Sequence, residues 1–223
     1  MSRKFRYLIL IAIVIFIITV TLFRWSYFKN KTKTPILSSP SNQASNNTTT
    51  PTKTNVNNLN SLAFPIAEFS TRITKKPFGI YITPENSPVS PERFSGYHTG
   101  VDVEYEDVTA DVPVYAIADG TVVESRFVSG YGGTFIIEAE YDGIPHTFLY
   151  GHIRPSSLPS VGKIVKKGEQ LAVLGTGKSY ETDGERKHLH FAVTANNQID
   201  LRGYVQNKTD LDLWLNPQDL NYQ

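Results

Sequence analysis

From about Leu62 onward, apolar residues recur at every second position in short runs, and each run is broken by Gly, Asp or Asn. "VPVYAIADGTVVESRFV" alternates around Asp119-Gly120, and "GTFIIEAEYDGIPHTFLYGH" repeats the arrangement around Asp142-Gly143. Both dipeptides predict hairpin turns. "GKIVKKGEQLAVLGTG" and "KHLHFAVTANNQIDL" add further short strands, and no 3.6-residue period persists over three turns. The pattern predicts an all-β or mostly β domain over 62–223, with two packed sheets or a partly open barrel. The Gly-rich "SGYGGT" reads as a tight hairpin between two of these strands.

The residues before Leu62 are of another kind. Arg3, Lys4 and Arg6 precede a charge-free run from Tyr7 to Phe23, near the lower limit for crossing a bilayer. Leu22, Phe23, Trp25 and Tyr27 stand where a signal-peptide cleavage site needs small residues, so an uncleaved anchor over 1–28 is expected. Trp25, Tyr27 and Phe28 suit the interfacial aromatic belt. Arg24, Lys29, Lys31 and Lys33 oppose the N-terminal charges, but long C-terminal domains translocate regardless of such charges. The expected topology is therefore single-pass in the cell membrane, with the C-terminal domain extracytoplasmic. Residues 29–61, rich in Asn, Thr, Ser, Lys and Pro, lack the apolar surface to offset ordering entropy and read as a disordered linker.

With no cysteine, disulfides, thiolate metal ligands and a cysteine nucleophile are excluded. A formal net charge of +1 with interspersed signs gives no electrostatic footprint for nucleic acid. "GTGKS" resembles the end of a phosphate-binding loop, but Ala172 stands where its first glycine is required. No G-x-S-x-G elbow supports a serine hydrolase.

All five histidines lie in the head: His98, His146, His152, His188 and His190. In "KHLHF", strand alternation puts His188 and His190 on one face and Leu189 and Phe191 on the other. Two adjacent imidazoles suit a metal site or an acid/base pair, although an H-x-H taken alone more commonly lies on a solvated face. "HTGVD" places His98 and Asp102 four residues apart, with Gly100 allowing the backbone to turn so that the two converge. "FLYGH" ends a strand on His152, where site residues tend to sit. His146, beside the Asp142-Gly143 turn and without a partner pattern, reads as a surface histidine. Two histidines and one aspartate would leave a fourth tetrahedral position open, as catalytic zinc requires.

H-x-x-x-D, then Y-G-H, then H-L-H-F, in this order, resembles the lysostaphin/LytM-type zinc metallopeptidases, which cut peptide bonds in peptidoglycan. "VPVYAIADGTVV", "GYGGTFIIEAEYDG", "VGKIVKKGEQLAVLGTG" and "WLNPQDL" extend the likeness over about Phe94 to Leu220. The resemblance implies a duplicated-hybrid-motif β fold with a groove across one sheet. It also implies one Zn2+ per chain on His98, Asp102 and His190, with His152 and His188 as the catalytic pair and peptidoglycan peptides as substrate. In place of the family's short "S-T-G-P" type approach to H-L-H, this chain has "GKSYETDGERKHLHF". The lead-in before His98 and the "VEYEDVTADVPVYA" spacer also depart from it. Rival readings are a non-catalytic relative that binds cell wall or activates another hydrolase, a D,D-peptidase, and a biotinyl-type carrier. "HTGVD" is too compact for the D,D-peptidase, and the carrier's hairpin lysine is missing.

Overall fold

A computed structural model describes residues 61–223; the expected anchor over 1–28 and residues 29–60 of the linker lie outside them. Among the described residues no helix is long and apolar enough to cross a membrane. They form strands and short 3-10 turns without an α-helix, as a period of two rather than 3.6 dictates.

Twelve strands occur in chain order: β1 Tyr81–Ile82, β2 Gly96–His98, β3 Gly100–Glu104, β4 Pro113–Tyr115, β5 Gly120–Val128, β6 Gly132–Tyr141, β7 Ile144–Ile153, β8 Ile164–Val165, β9 Gln170–Val173, β10 His188–Thr194, β11 Tyr204–Val205 and β12 Trp214–Leu215. The largest sheet runs β12-β10-β7-β6-β5-β8, with β3 also on β10. β3 and β12 share one edge of β10 end to end, and β7 takes the other. β1-β2-β11 form a small sheet and β4-β9 a two-stranded one. All these pairings are antiparallel. The described strands thus make three sheets rather than the expected two, and none of them closes into a barrel.

Two of the three expected hairpins form. β6 and β7 turn through Asp142 and Gly143, whose φ values of 52° and 78° are the left-handed pair that a tight hairpin demands. β5 and β6 turn through Ser129, Gly130 and Tyr131, with Tyr131 N–H donating to Val128 O at 3.0 Å. Asp119-Gly120 is not a hairpin, because β4 pairs with β9 while β5 pairs with β6 and β8. Gly120 is required for close approach instead, since a Cβ there would sit 2.4 Å from Glu138 O. Asp119 accepts from Lys166 Nζ and Lys167 N–H, both at 2.8 Å.

The core lies against one face of the large sheet. Phe135 and Tyr150 stack at 4.4 Å, and the fully buried Phe191 meets Tyr150 and Phe69 edge-on at 5.1 and 5.9 Å. Burying such a ring contributes about 1.5–3 kcal/mol. Leu62, Ile66 and Phe69 join this core, and Leu62 bridges Tyr222, so the two ends of the described chain meet.

Candidate metal centre

β10 positions the centre. Leu189 and Phe191 enter the core, so His188 and His190 face the other way, into a cleft of about 290 Å³. β3 runs alongside with Asp102 opposite His190 and Glu104 opposite His188. Directly opposed residues share a face, so the pairing alone sets a carboxylate beside each imidazole. His98 comes from the small sheet, the chain bending at Thr99 between β2 and β3. Gly100 lies beyond that bend within β3, without a positive φ. Its small size serves approach rather than turning, because a Cβ there would lie 2.5 Å from Phe191 O and 3.0 Å from His190 Nε2.

The donors converge closely. His98 Nε2 lies 3.1 Å from His190 Nδ1 and 3.3 Å from Asp102 Oδ1, and His190 Nδ1 lies 3.0 Å from that same oxygen. One ligand atom from each of these residues fits within 4.8 Å. His98 Nδ1 is 3.2 Å from Pro77 O, a partner that only accepts, so this nitrogen carries the proton and Nε2 presents a lone pair to the cluster. On the far side of His190, Nε2 faces Tyr131 Oη at 3.4 Å.

His152 reaches the cleft by a different route. Strand register gives Gly151, not His152, the place opposite His190, and regular alternation would leave His152 on the core face beside Tyr150. Its φ of 61° breaks the alternation, a conformation that costs a non-glycine residue about 1–3 kcal/mol. His152 N–H donates to Tyr131 O at 3.1 Å and Gly175 N–H donates to His152 O at 2.8 Å, which holds the turn. The ring then sits 4.1 Å from that of His188. His188 Nδ1 is 2.9 Å from Arg186 O, so Nδ1 carries the proton and Nε2 is left as acceptor.

Burial pushes His152 down to about 3, and it also lowers His188 and His190, so the three imidazoles are neutral at pH 7. Burial alone would raise Asp102, but His188, His98 and Arg186 together outweigh it and hold the carboxyl well below the usual range. His98, Asp102 and His190 bring two imidazole nitrogens and one carboxylate oxygen together at a buried point. This donor set fits zinc.

His146 lies apart from the other four histidines. It is buried rather than at the surface, with Nδ1 2.8 Å from Thr194 O, because β7 lies between β6 and β10. The charged approach loop is also largely committed internally. Asp183 accepts from Gly130 N–H at 2.7 Å, Glu185 from Arg93 at 2.8 Å, and Lys187 donates to Val108 and Ala110 carbonyls. In the lead-in, Glu92 forms a buried ion pair with Lys76 at 2.5 Å, and Phe94 stacks on Tyr204 at 5.5 Å along the cleft. Burial would raise Glu92; Lys76, Phe94 N–H and Ser87 lower it.

The model of peptidase family M23 matches positions 96–201, a span that contains His98, Asp102, His152, His188 and His190. Residues 96–201 belong to peptidase family M23. That family is zinc-dependent. Endolysin 2638A of Staphylococcus phage 2638A is 34% identical over 116 residues, which are 52% of this chain and 22% of the endolysin. An uncharacterized metalloprotease of Haemophilus influenzae is 36% identical over 95 residues, 42% of this chain and 18% of the relative. The chain therefore spans about a fifth of the length of either relative. Among solved structures, Helicobacter pylori Csd3 is similar at 26% identity and a TM-score of 0.42, covering 66% of this chain and 35% of that one.

Tyr131 and Arg186 also line the cleft, and Glu104 meets Arg186 behind it; sequence reading had not singled these three out. Asp102-x-Glu104 carried a usable signal, since a period of two puts both carboxylates on one face of β3.

Proposed function

We propose that this M23 domain is a zinc metalloendopeptidase that cleaves peptide bonds in peptidoglycan cross-links or stems. The carrying observation is the pair of constellations on one cleft: three donors within 4.8 Å, and two further neutral imidazoles whose rings are 4.1 Å apart. His98, Asp102 and His190 would hold one zinc ion. A bound zinc ion supplies Lewis acidity, polarising a carbonyl and lowering the pKa of water.

The protein's own groups do the rest. His188, with Nδ1 committed to Arg186 O, offers Nε2 as the proton acceptor for an attacking water. His152, held beside it by a strained but locked backbone, steadies the negative charge that grows on the carbonyl oxygen. Transfer of the abstracted proton to the departing amine completes hydrolysis. Residues 1–28 would anchor the chain in the membrane, and residues 29–61 would give the extracytoplasmic 62–223 domain its reach into the wall.

Metal analysis and muropeptide digestion by the full-length protein test this reading, with His190→Ala and His152→Ala alongside. Both variants should lose cleavage while only His190→Ala loses zinc. A wild-type protein that binds about one zinc per chain yet leaves every cross-link intact would overturn the enzymatic reading in favour of a wall-binding or hydrolase-activating role.

A further inference from the structure

Two stretches that depart from the lysostaphin/LytM pattern, the spacer after Asp102 and the charged approach to His188, meet behind the donor cluster. Arg186 Nη2 donates to Asp102 Oδ2 at 2.7 Å and to Glu104 Oε1 at 2.7 Å, and Arg186 Nε donates to Glu104 Oε2 at 2.9 Å. The three side chains are only 5%, 2% and 10% exposed. Lys75 Nζ lies 3.9 Å from Glu104 Oε2, and Arg72 Nη1 donates to Glu104 O at 3.0 Å.

The consequence concerns the two oxygens of Asp102. Oδ1 faces His98 Nε2 and His190 Nδ1, while Oδ2 faces Arg186 at 2.7 Å and His188 Nε2 at 3.5 Å. Without the guanidinium, Oδ2 would be left to His188 Nε2, the nitrogen the proposed mechanism needs free. An arginine on Asp102 alone would also cancel the charge that attracts a dication. Glu104 restores it, so the trio keeps one net negative charge. Fold stability does not account for such a buried arrangement, because well-packed apolar residues generally serve a core as well as a buried ion pair does. Arg186 borders the cleft, with its Nε and Nη2 committed to the two carboxylates.

We infer that Arg186 and Glu104 act as a positioning pair, fixing Asp102 as a one-oxygen metal ligand and withholding its second oxygen from His188. The inference rests on the ligand set given under Proposed function. The test measures zinc affinity of the full-length protein by competition with a chromophoric chelator, with thermal unfolding of the metal-free protein in parallel. By charge alone, Arg186→Gln leaves the trio more negative and should tighten zinc. As a positioning loss it should weaken zinc about 10–100-fold. The double variant Arg186→Met with Glu104→Leu removes the charges of Arg186 and Glu104 together and leaves Asp102 with its histidine neighbours on Oδ1, so it disturbs the fold less and carries the test if Arg186→Gln unfolds. It should weaken zinc over the same range. Affinity within about threefold of wild type in the folded variants, or tighter binding by Arg186→Gln, overturns the inference. Asp102→Ala and His190→Ala separate the two levels. If these lose zinc while the Arg186 variants keep it, only the positioning pair fails; if they too bind like wild type, the ligand set itself is wrong.

Discussion

Replacing Gly100 by alanine puts a methyl group where β3 and β10 have no room for one. The new Cβ would lie 2.5 Å from Phe191 O, and real Cβ atoms essentially never come within 3.0 Å of another atom, so the strands must separate locally by about 0.5 Å. Phe191 O is backbone in the middle of the large sheet and cannot swing aside as a side chain would. Asp102 sits two residues along β3 and moves with it. Metal–ligand distances tolerate roughly ±0.2 Å, so a displacement of this size weakens the donor set rather than being absorbed. Overpacking of this kind costs about 1–3 kcal/mol, and each kcal/mol lowers Tm by roughly 2–4 °C in a domain of this size. Gly100→Ala is therefore expected to lower the Tm of metal-free protein by roughly 2–12 °C and to weaken zinc at least about tenfold. Gly143→Ala is the control: its φ of 78° strains any side chain, but nothing lies within 4 Å of the added Cβ, so it should lose stability and keep zinc affinity. Chelator competition and thermal melts on both variants decide the matter. Zinc binding by Gly100→Ala within about threefold of wild type would refute the reasoning, whatever its Tm.

Phe191→Ala removes a fully buried ring from the back of the strand that carries His188 and His190, and should cost about 3–5 kcal/mol in denaturant unfolding. A loss below about 1 kcal/mol would mean that the core does not hold this strand in place. Burial keeps His152 near 3 against an ordinary value of 6.5, so between those values the unfolded chain binds a proton that the folded chain refuses. Metal-free protein should therefore lose stability as pH falls from about 6.5 toward 4, and His152→Gln should flatten that slope; equal slopes would rule the histidine out. Glu185→Gln removes the acceptor of Arg93 at a partly exposed contact and should shift Tm by no more than about 2 °C, which a melt can check.

How much of this was legible in the sequence depended on whether a residue's role was local. Alternation in "KHLHF" placed Leu189 and Phe191 in the core because a strand's faces follow from its own residues. Asp142-Gly143 was readable because the turn's φ values are a property of two residues. Asp119-Gly120 carries the same local signal, but β4 found its partner in β9, a pairing decided far along the chain. His146 was misplaced for a similar reason: its burial comes from Thr194 and β10, not from its neighbours. The orientation of His152 was hidden in a single positive φ, which the run "FLYGH" does not announce. Arg186 looked like one charge in a charged loop, and its place beside Asp102 and Glu104 is decided by contacts across 84 and 82 residues of sequence.

His98 belongs to the three-stranded sheet, while Asp102 and His190 belong to the large one. On the proposed ligand set, a single ion rivets the two sheets together across 92 residues of sequence. Such a rivet makes metal loading a mechanical event as well as a chemical one. Chelation should speed amide exchange in Tyr81–Ile82, Gly96–His98 and Tyr204–Val205, while the β10 amides, flanked on both edges, stay protected. The lead-in that Glu92 and Phe94 fasten to the cleft would then loosen together with the small sheet, exposing the empty site to solvent and to proteases before the rest of the domain gives way.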